Sequence, residues 1–182
     1  MVELSPQQLA YDLTESLFTK NIIIRDCEVI LRGGEKSNFY IDFKSSAMTS
    51  PEILNAINYE LHKQLTTMFF QRPIQLVGKG LSGAIMVTSL LSFAPYIFKG
   101  IIIRPEVKSH GYVSQIVGDI NPTAPIVILD DVVTTGGTIK EIASFLPRKP
   151  DCAFVLVRRN SIDHVEGVPV YSLFEVKELD TN

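Results

Sequence analysis

The chain has 182 residues, a net charge of -3, 46% hydrophobic and 20% charged residues. Those values suit one globular domain with a sizeable core, and they exclude a general basic field for nucleic acid or an anionic membrane. Its two cysteines, Cys27 and Cys152, stand far apart in apolar surroundings, so they read as reduced core residues and exclude a disulfide framework or paired zinc-ligand spacing.

In chain order, "MVELSPQQLAYDL" carries acids and no basic segment with an apolar run, so no export signal is visible and the expected location is cytoplasmic. Ser5, Pro6 and Gln8 form a helix start, and Leu9, Leu13, Ser16 and Leu17 give a stripe ending near Phe18. Residues 22–43 alternate short apolar runs with "RGGEKSN" and predict a hairpin or small antiparallel piece. "TSPEILNAINYELHKQL" predicts a second helix, with Ser50 capping and Pro51 in the first turn. His62 falls on its polar face and is expected to be solvated. Beyond it, "IQLVG", "GIIIR", "IVILDD" and "AFVLVRR" are continuous apolar runs of the kind that parallel strands buried on both faces require. The most apolar region, Gly83 to Phe98, is interrupted by Thr88, Ser89, Ser92 and Pro95 and is too short to span a bilayer. These elements predict a parallel α/β sheet with a small N-terminal subdomain over one end: a single domain of residues 1–182, with a hood segment over 1–45 and an α/β core over 46–182.

The stretch "IVILDDVVTTGGT", Ile126 to Thr138, carries the chemistry. Ile139, Ile142, Ala143 and Leu146 supply a helical stripe after it, so the order is strand, loop, helix, and ligands in open α/β sheets sit at such strand ends. Backbone N–H groups opened by Gly136 and Gly137, with the hydroxyls of Thr134, Thr135 and Thr138, make a phosphate cradle at a helix N-terminus. The glycine spacing fits neither a Walker A loop nor a dinucleotide fingerprint. A carboxylate beside a phosphate repels it, so Asp130 and Asp131 address another part of the ligand, such as sugar hydroxyls or a metal. A phosphate with a ribose attached satisfies both halves. Helix capping accounts for one aspartate but poorly for two.

"VILDDVVTTGGT" resembles the phosphoribosyl pyrophosphate (PRPP) binding motif of the type I phosphoribosyltransferases. "LRGGEKSNFYIDFK", Leu31 to Lys44, and "RPEVKSHG", Arg104 to Gly111, are similar to the N-terminal substrate segment and the mobile catalytic loop of the orotate phosphoribosyltransferase family. The resemblance implies a parallel sheet flanked by helices with an N-terminal hood, and transfer of a 5-phosphoribosyl group from PRPP to orotate in pyrimidine biosynthesis. It implies that Asp130 and Asp131 contact the ribose hydroxyls, and that Val132, Val133, Thr134, Thr135, Gly136, Gly137 and Thr138 hold the 5-phosphate. Arg32, Tyr40, Ile41, Thr134 and Arg159 would bind orotate. Arg104, Lys108 and His110 would surround the pyrophosphate, with Mg²⁺ carried by PRPP and not ligated directly by the protein. A homodimer with shared active sites, whose Arg104 and Lys108 loop reaches the neighbour, is also implied.

The residues agree with those expectations. Lys99, Arg104, Lys108 and His110 concentrate positive charge in a stretch with one acid, Glu106, suited to an anionic substrate. "SHGYVSQIVGD" is polar and poorly periodic, as a mobile lid would be. "GKGLSG", Gly78 to Gly83, follows a strand and would face the pyrophosphate, but plain turn chemistry accounts for it equally well. His164, in "SIDHVEG", is expected in a turn. Three positions depart from the family pattern: Pro105 where a lysine usually follows Arg104, Ser109 in place of an aspartate, and Arg158 where an aspartate usually precedes Arg159. Two alternatives stay open, a non-catalytic PRPP-sensing module and a phosphoribosyltransferase of the same fold acting on another base. Lys108, His110, Tyr40 and Arg159, which a sensor would not need, favour the enzyme.

Overall fold

The computed structural model describes residues 22–30, 36–105 and 114–175. The expected helix from Ser5 lies outside the described residues, as do Arg32, Lys108, Ser109 and His110.

Strands β1 (Ile23–Ile30) and β2 (Lys36–Ile41) form the expected antiparallel hairpin. Ile22, Ile23 and Ile41 at its base, with Phe43 just beyond, are buried in the same apolar cluster as the main sheet. Two helices follow, α1 (Phe43–Thr49) and α2 (Pro51–Met68). The apolar pattern does not announce α1, which is held by Asp42: its Oδ1 accepts the Ser45 N–H at 3.1 Å. The expected Ser50 side-chain cap is corrected. Pro51 does open α2, but the Ser50 hydroxyl makes no capping bond. Its backbone instead closes α1 onto the Ser46 carbonyl at 2.9 Å and accepts the Ile53 N–H at 3.1 Å.

Then come β3 (Ile74–Lys79), α3 (Gly80–Phe93), β4 (Phe98–Ile103), β5 (Ile116–Val117), β6 (Ile126–Val133), α4 (Gly137–Ser144), β7 (Cys152–Arg158), β8 (His164–Val165) and β9 (Val168–Glu175). The second sheet has the order β5-β4-β3-β6-β7-β9-β8, with β4, β3, β6, β7 and β9 parallel and the two short edge strands antiparallel. The four continuous apolar runs are β3, β4, β6 and β7. Strand β9, "VPVYSLFE", completes the parallel set without having been signalled, because Pro169 and alternating burial disguise it. Ile116 and Val117 pair with Ile103 and Ile102, so the segment expected to be entirely lid contains an edge strand. His164 pairs with Pro169 in β8 and not in a turn, although Glu166 and Gly167, both with positive φ, turn the chain immediately after it.

Period-two alternation explains why both faces of the sheet are buried. Leu76, Val127, Leu129, Phe154 and Leu156 face one apolar cluster with Ile57, Leu61 and Met86 of α2 and α3. Val77, Ile126, Ile128, Ala153 and Val155 face the other with Ile139 and Ile142 of α4. The parallel strands run, by chain order, 2-1-3-4-5 across the sheet, so connections diverge between β3 and β6. That is a topological switch point, where the loops after adjacent strands part and leave a crevice.

Candidate active site

The crevice opens where β3 and β6 end. Its larger lobe, about 730 Å³, is lined by Tyr40 and Ile41 of the hairpin, Lys44 of α1, Lys79 to Ser82 after β3, Pro105, the β6 end and Arg159. A second lobe of about 330 Å³ is formed by the loop from Val132 to Thr138 with Ile139 and Glu141. Asp130, Val132, Thr134, Thr138 and Glu141 line both, so the lobes are one continuous cleft. Six residues named from sequence for the ribose and the base, Tyr40, Ile41, Asp130, Asp131, Thr134 and Arg159, meet in the larger lobe although they come from three separate parts of the chain.

The two carboxylates differ in environment. Asp130 is only 8% exposed. Burial, followed by the neighbouring Asp131 charge and a hydrogen bond with Asp131, pushes its carboxyl up to about 7, against opposing bonds from the Asp131 backbone and Thr138. Asp131 is drawn toward the other side of the crevice. Its Oδ2 accepts the Ser82 hydroxyl at 3.0 Å and lies 3.7 Å from Lys44 Nζ. A pair of adjacent strand residues thus presents one carboxyl poised near neutrality and one held by two donors.

The cradle keeps its shape through backbone restraints. Gly136 adopts φ +78°, and a Cβ there would lie 2.4 Å from Val165 Cγ2, so a side chain is excluded on two grounds. The Thr134 carbonyl accepts the Asn160 side-chain N–H at 3.0 Å. Among the described residues, only Thr135 Oγ1, at 3.8 Å, stands near the place of a Gly137 Cβ.

Arg159 spans from the sheet to the hairpin. Its guanidinium donates to Ser37 Oγ at 2.7 Å and lies 4.2 Å from the centre of the Phe39 ring. Arg158 turns the other way: it pairs with Glu175 and donates to the carbonyls of Ile162 and Val170, away from the cleft. Arg104 also does not line the cleft; it donates to the Ser114 carbonyl at 3.0 Å and ties the end of β4 to the segment leading into β5. Pro105, next to it, does line the cleft. His62 is half-buried against Phe93 and Phe98, with ring centres 5.6 and 6.0 Å away, which corrects the expectation of a solvated residue.

Lys44, Lys79, Ser82 and Glu141 line the cleft without having been singled out from sequence. Lys44 and Lys79 fall inside "NFYIDFK" and "GKGLSG", so their motifs were visible, but their ion-pair partners, Asp131 and Glu141, are set by the fold. Two of the glycines of "GKGLSG", Gly78 and Gly83, have a packing reason as well. A Cβ on Gly83 would lie 2.7 Å from Gly78 Cα, so β3 and α3 touch backbone to backbone. Among the described residues no group of three or more His, Cys, Asp or Glu could hold a metal ion, and no helix is long and apolar enough to cross a membrane.

The chain is 35% identical over 134 residues to the orotate phosphoribosyltransferase of Thermoplasma volcanium, covering 74% of each. It is 30% identical over 167 residues to that of Methanocaldococcus jannaschii, covering 87% of this chain and 90% of the relative. The crystal structure of orotate phosphoribosyltransferase from Aeropyrum pernix matches with a TM-score of 0.72 at 25% identity, over 92% of this chain and 95% of that one. The Mycobacterium tuberculosis enzyme in complex with PRPP shares the fold, with a TM-score of 0.67 at 17% identity over 93% of this chain and 98% of that one. No protein-family model matches.

Proposed function

Because this chain belongs to the orotate phosphoribosyltransferase family, we infer that it transfers the 5-phosphoribosyl group of PRPP to orotate, giving orotidine 5′-monophosphate and pyrophosphate in de novo pyrimidine synthesis. The observation that carries this reading is the meeting of the Asp130–Asp131 pair, the phosphate-type loop and Arg159 with the hairpin's Tyr40 in one cleft. A PRPP sensor needs the first two and has no use for the base-facing side.

In the reaction, an orotate ring nitrogen attacks ribose C1 as the bond to pyrophosphate breaks. The loop Val132–Thr138 anchors the 5-phosphate through backbone N–H groups and the Thr134, Thr135 and Thr138 hydroxyls. Asp130 and Asp131 take the ribose hydroxyls, and their charge favours the positive character that C1 acquires. Arg159, held in place by Ser37 and Phe39, meets the orotate carboxylate, with Tyr40 and Ile41 lying against the ring. Arg32 is assigned to the same base pocket, and Arg104, Lys108 and His110 to the departing pyrophosphate.

The donor set suits Mg²⁺ delivered with PRPP: the adjacent carboxylates of Asp130 and Asp131 at the cleft could neighbour such an ion beside the ribose. When bound, the ion neutralises charge on the leaving pyrophosphate. The proposed assembly is a homodimer with a catalytic loop shared between subunits, and the proposed compartment is the cytoplasm, in keeping with a free, buried Cys152.

The test incubates the protein with PRPP, Mg²⁺ and a panel of bases and follows pyrophosphate release. Orotate should turn over about ten- to a hundredfold faster than uracil, which lacks the carboxylate, since one charge-assisted contact is worth roughly 1.5–3 kcal/mol. Equal rates with the two bases would remove orotate as the substrate. PRPP binding without turnover of any base would establish the sensor.

A further inference from the structure

A carboxylate inside a site for a polyanion repels its ligand, so Glu141 is an anomaly. It lies in the first turns of α4, close after the cradle residue Thr138, and lines both lobes of the cleft. Its carboxylate pairs with Lys79, at the end of β3. The Lys79 side chain is only 12% exposed. The other two cations that line the cleft among the described residues have different neighbours: Lys44 faces Asp131, and Arg159 is bound to Ser37 and stacked on Phe39. Among the described residues, Lys79 is therefore the cation tied to the phosphate-type loop's side of the cleft through Glu141, and in the free protein its charge is already matched.

We propose that Glu141 is a positioning residue that competes with the substrate for Lys79. It holds the ammonium group at the boundary of the two lobes while the cleft is empty, and a phosphate group of PRPP must take Lys79 from it. The inference rests on the reading of this cleft as a PRPP site. In the free protein the pair cancels charge across the switch point. On binding, the exchange sets Glu141 against the bound anion, which lowers the affinity that Lys79 would otherwise give and speeds the departure of phosphorylated products. Affinity is given up in favour of turnover.

The test is a two-by-two set: wild type, Glu141→Gln, Lys79→Met and the double variant, titrated with PRPP by calorimetry at low and high salt. Glu141→Gln keeps size and hydrogen-bonding capacity at a partly exposed helix position, so the fold is retained. It should bind PRPP roughly fivefold more tightly at low salt, about the worth of one partly exposed ion pair, and the gain should shrink at high salt. Its KM for PRPP should fall together with kcat. In the Lys79→Met background most of the gain should vanish, because no ammonium is left to release. Unchanged or weaker binding by Glu141→Gln overturns the proposal. So does an equal gain in both backgrounds, which would mean that Glu141 only repels the ligand and does not restrain Lys79. If wild type binds PRPP normally in either case, the assignment of the cleft stands and only the role of Glu141 fails. If wild type binds no PRPP, both fall together.

Discussion

At the scale of single residues, the unequal surroundings of Asp130 and Asp131 make a pH-dependent signature. Asp130 titrates near 3.8 when unfolded and at about 7 in the folded protein. A carboxyl whose folded value is the higher binds its proton more tightly in the folded state. Relative to acid conditions, folding therefore becomes less favourable as pH rises from about 4 to about 7, and the loss is complete above about 7. The upper bound of that loss is a few kcal/mol, at roughly 1.4 kcal/mol per unit. Asp130→Asn removes the ionisation while retaining an acceptor for the Asp131 N–H. Its thermal midpoint should exceed that of wild type at about pH 8, and the gap should close as pH approaches about 4. Turnover should fall on the order of a hundredfold, since a directed charge at the ribose is lost. A midpoint difference that does not vary with pH would show that Asp130 is not the buried titrating group. Asp131, by contrast, accepts from Ser82 and faces Lys44. Adjacent identical letters thus conceal two chemical environments, because burial and partners from α1, α3 and α4 are properties of the fold and not of the "DD" pair.

At the scale of elements, the contact between β3 and α3 separates the packing reason for a glycine from the ligand reason. Gly83→Ala would place a Cβ 2.7 Å from Gly78 Cα, a backbone atom that cannot rotate away. Alanine in a helix gains about 0.5–1 kcal/mol over glycine, whereas overpacking costs about 1–3 kcal/mol, so the net effect is destabilising. Gly137→Ala meets only Thr135 Oγ1 at 3.8 Å and should leave stability unchanged or slightly raised while disturbing phosphate binding. Denaturant titration of the two variants should give opposite signs; a stable Gly83→Ala would show that the helix can slide. The sequence was most legible where periodicity and turn chemistry agreed. The runs "IQLVG", "GIIIR", "IVILDD" and "AFVLVRR" became β3, β4, β6 and β7, and "DDVVTTGGT" became the end of β6, a short turn and the start of α4 along one wall of the cleft. It was less legible where a tertiary partner decides. Ile116–Val117 is a strand because β4 offers an edge, α1 starts because Asp42 caps it, and β9 forms because β7 is beside it. Lys79 and Glu141 are 62 positions apart, and no local pattern joins them.

At the scale of the whole molecule, the sheet order explains why residues from the hairpin, β3, β6 and β7 can share one cleft, yet Arg104 does not line it and is bound to Ser114. The apolar stretch "SGAIMVTSLLSFAPYIF" runs through α3 to the start of β4. Its Ile85, Met86, Val87 and Leu90 are spent on the chain's own core, and Phe93 and Tyr96 remain outside, the latter 95% exposed, with Leu81 exposed just before the stretch. These three are the apolar groups that this helix and the turn after it could offer to a second copy. Whether two copies share sites is decided by mixing. Lys108→Ala and Asp131→Asn are prepared as separate inactive proteins, dissociated and reassociated together. If the loop acts in the neighbour's site, a hybrid dimer has one site with Asp131 intact from one chain and Lys108 intact from the other, while its second site carries both lesions. Random pairing makes about half of the dimers hybrids with one good site of two, so roughly a quarter of wild-type activity should return. If each loop serves its own chain, every site keeps one lesion and mixing restores nothing. Absence of recovery, with hybrids confirmed by mass, would therefore reject the shared site while leaving the cleft, its carboxylate pair and Arg159 as they stand.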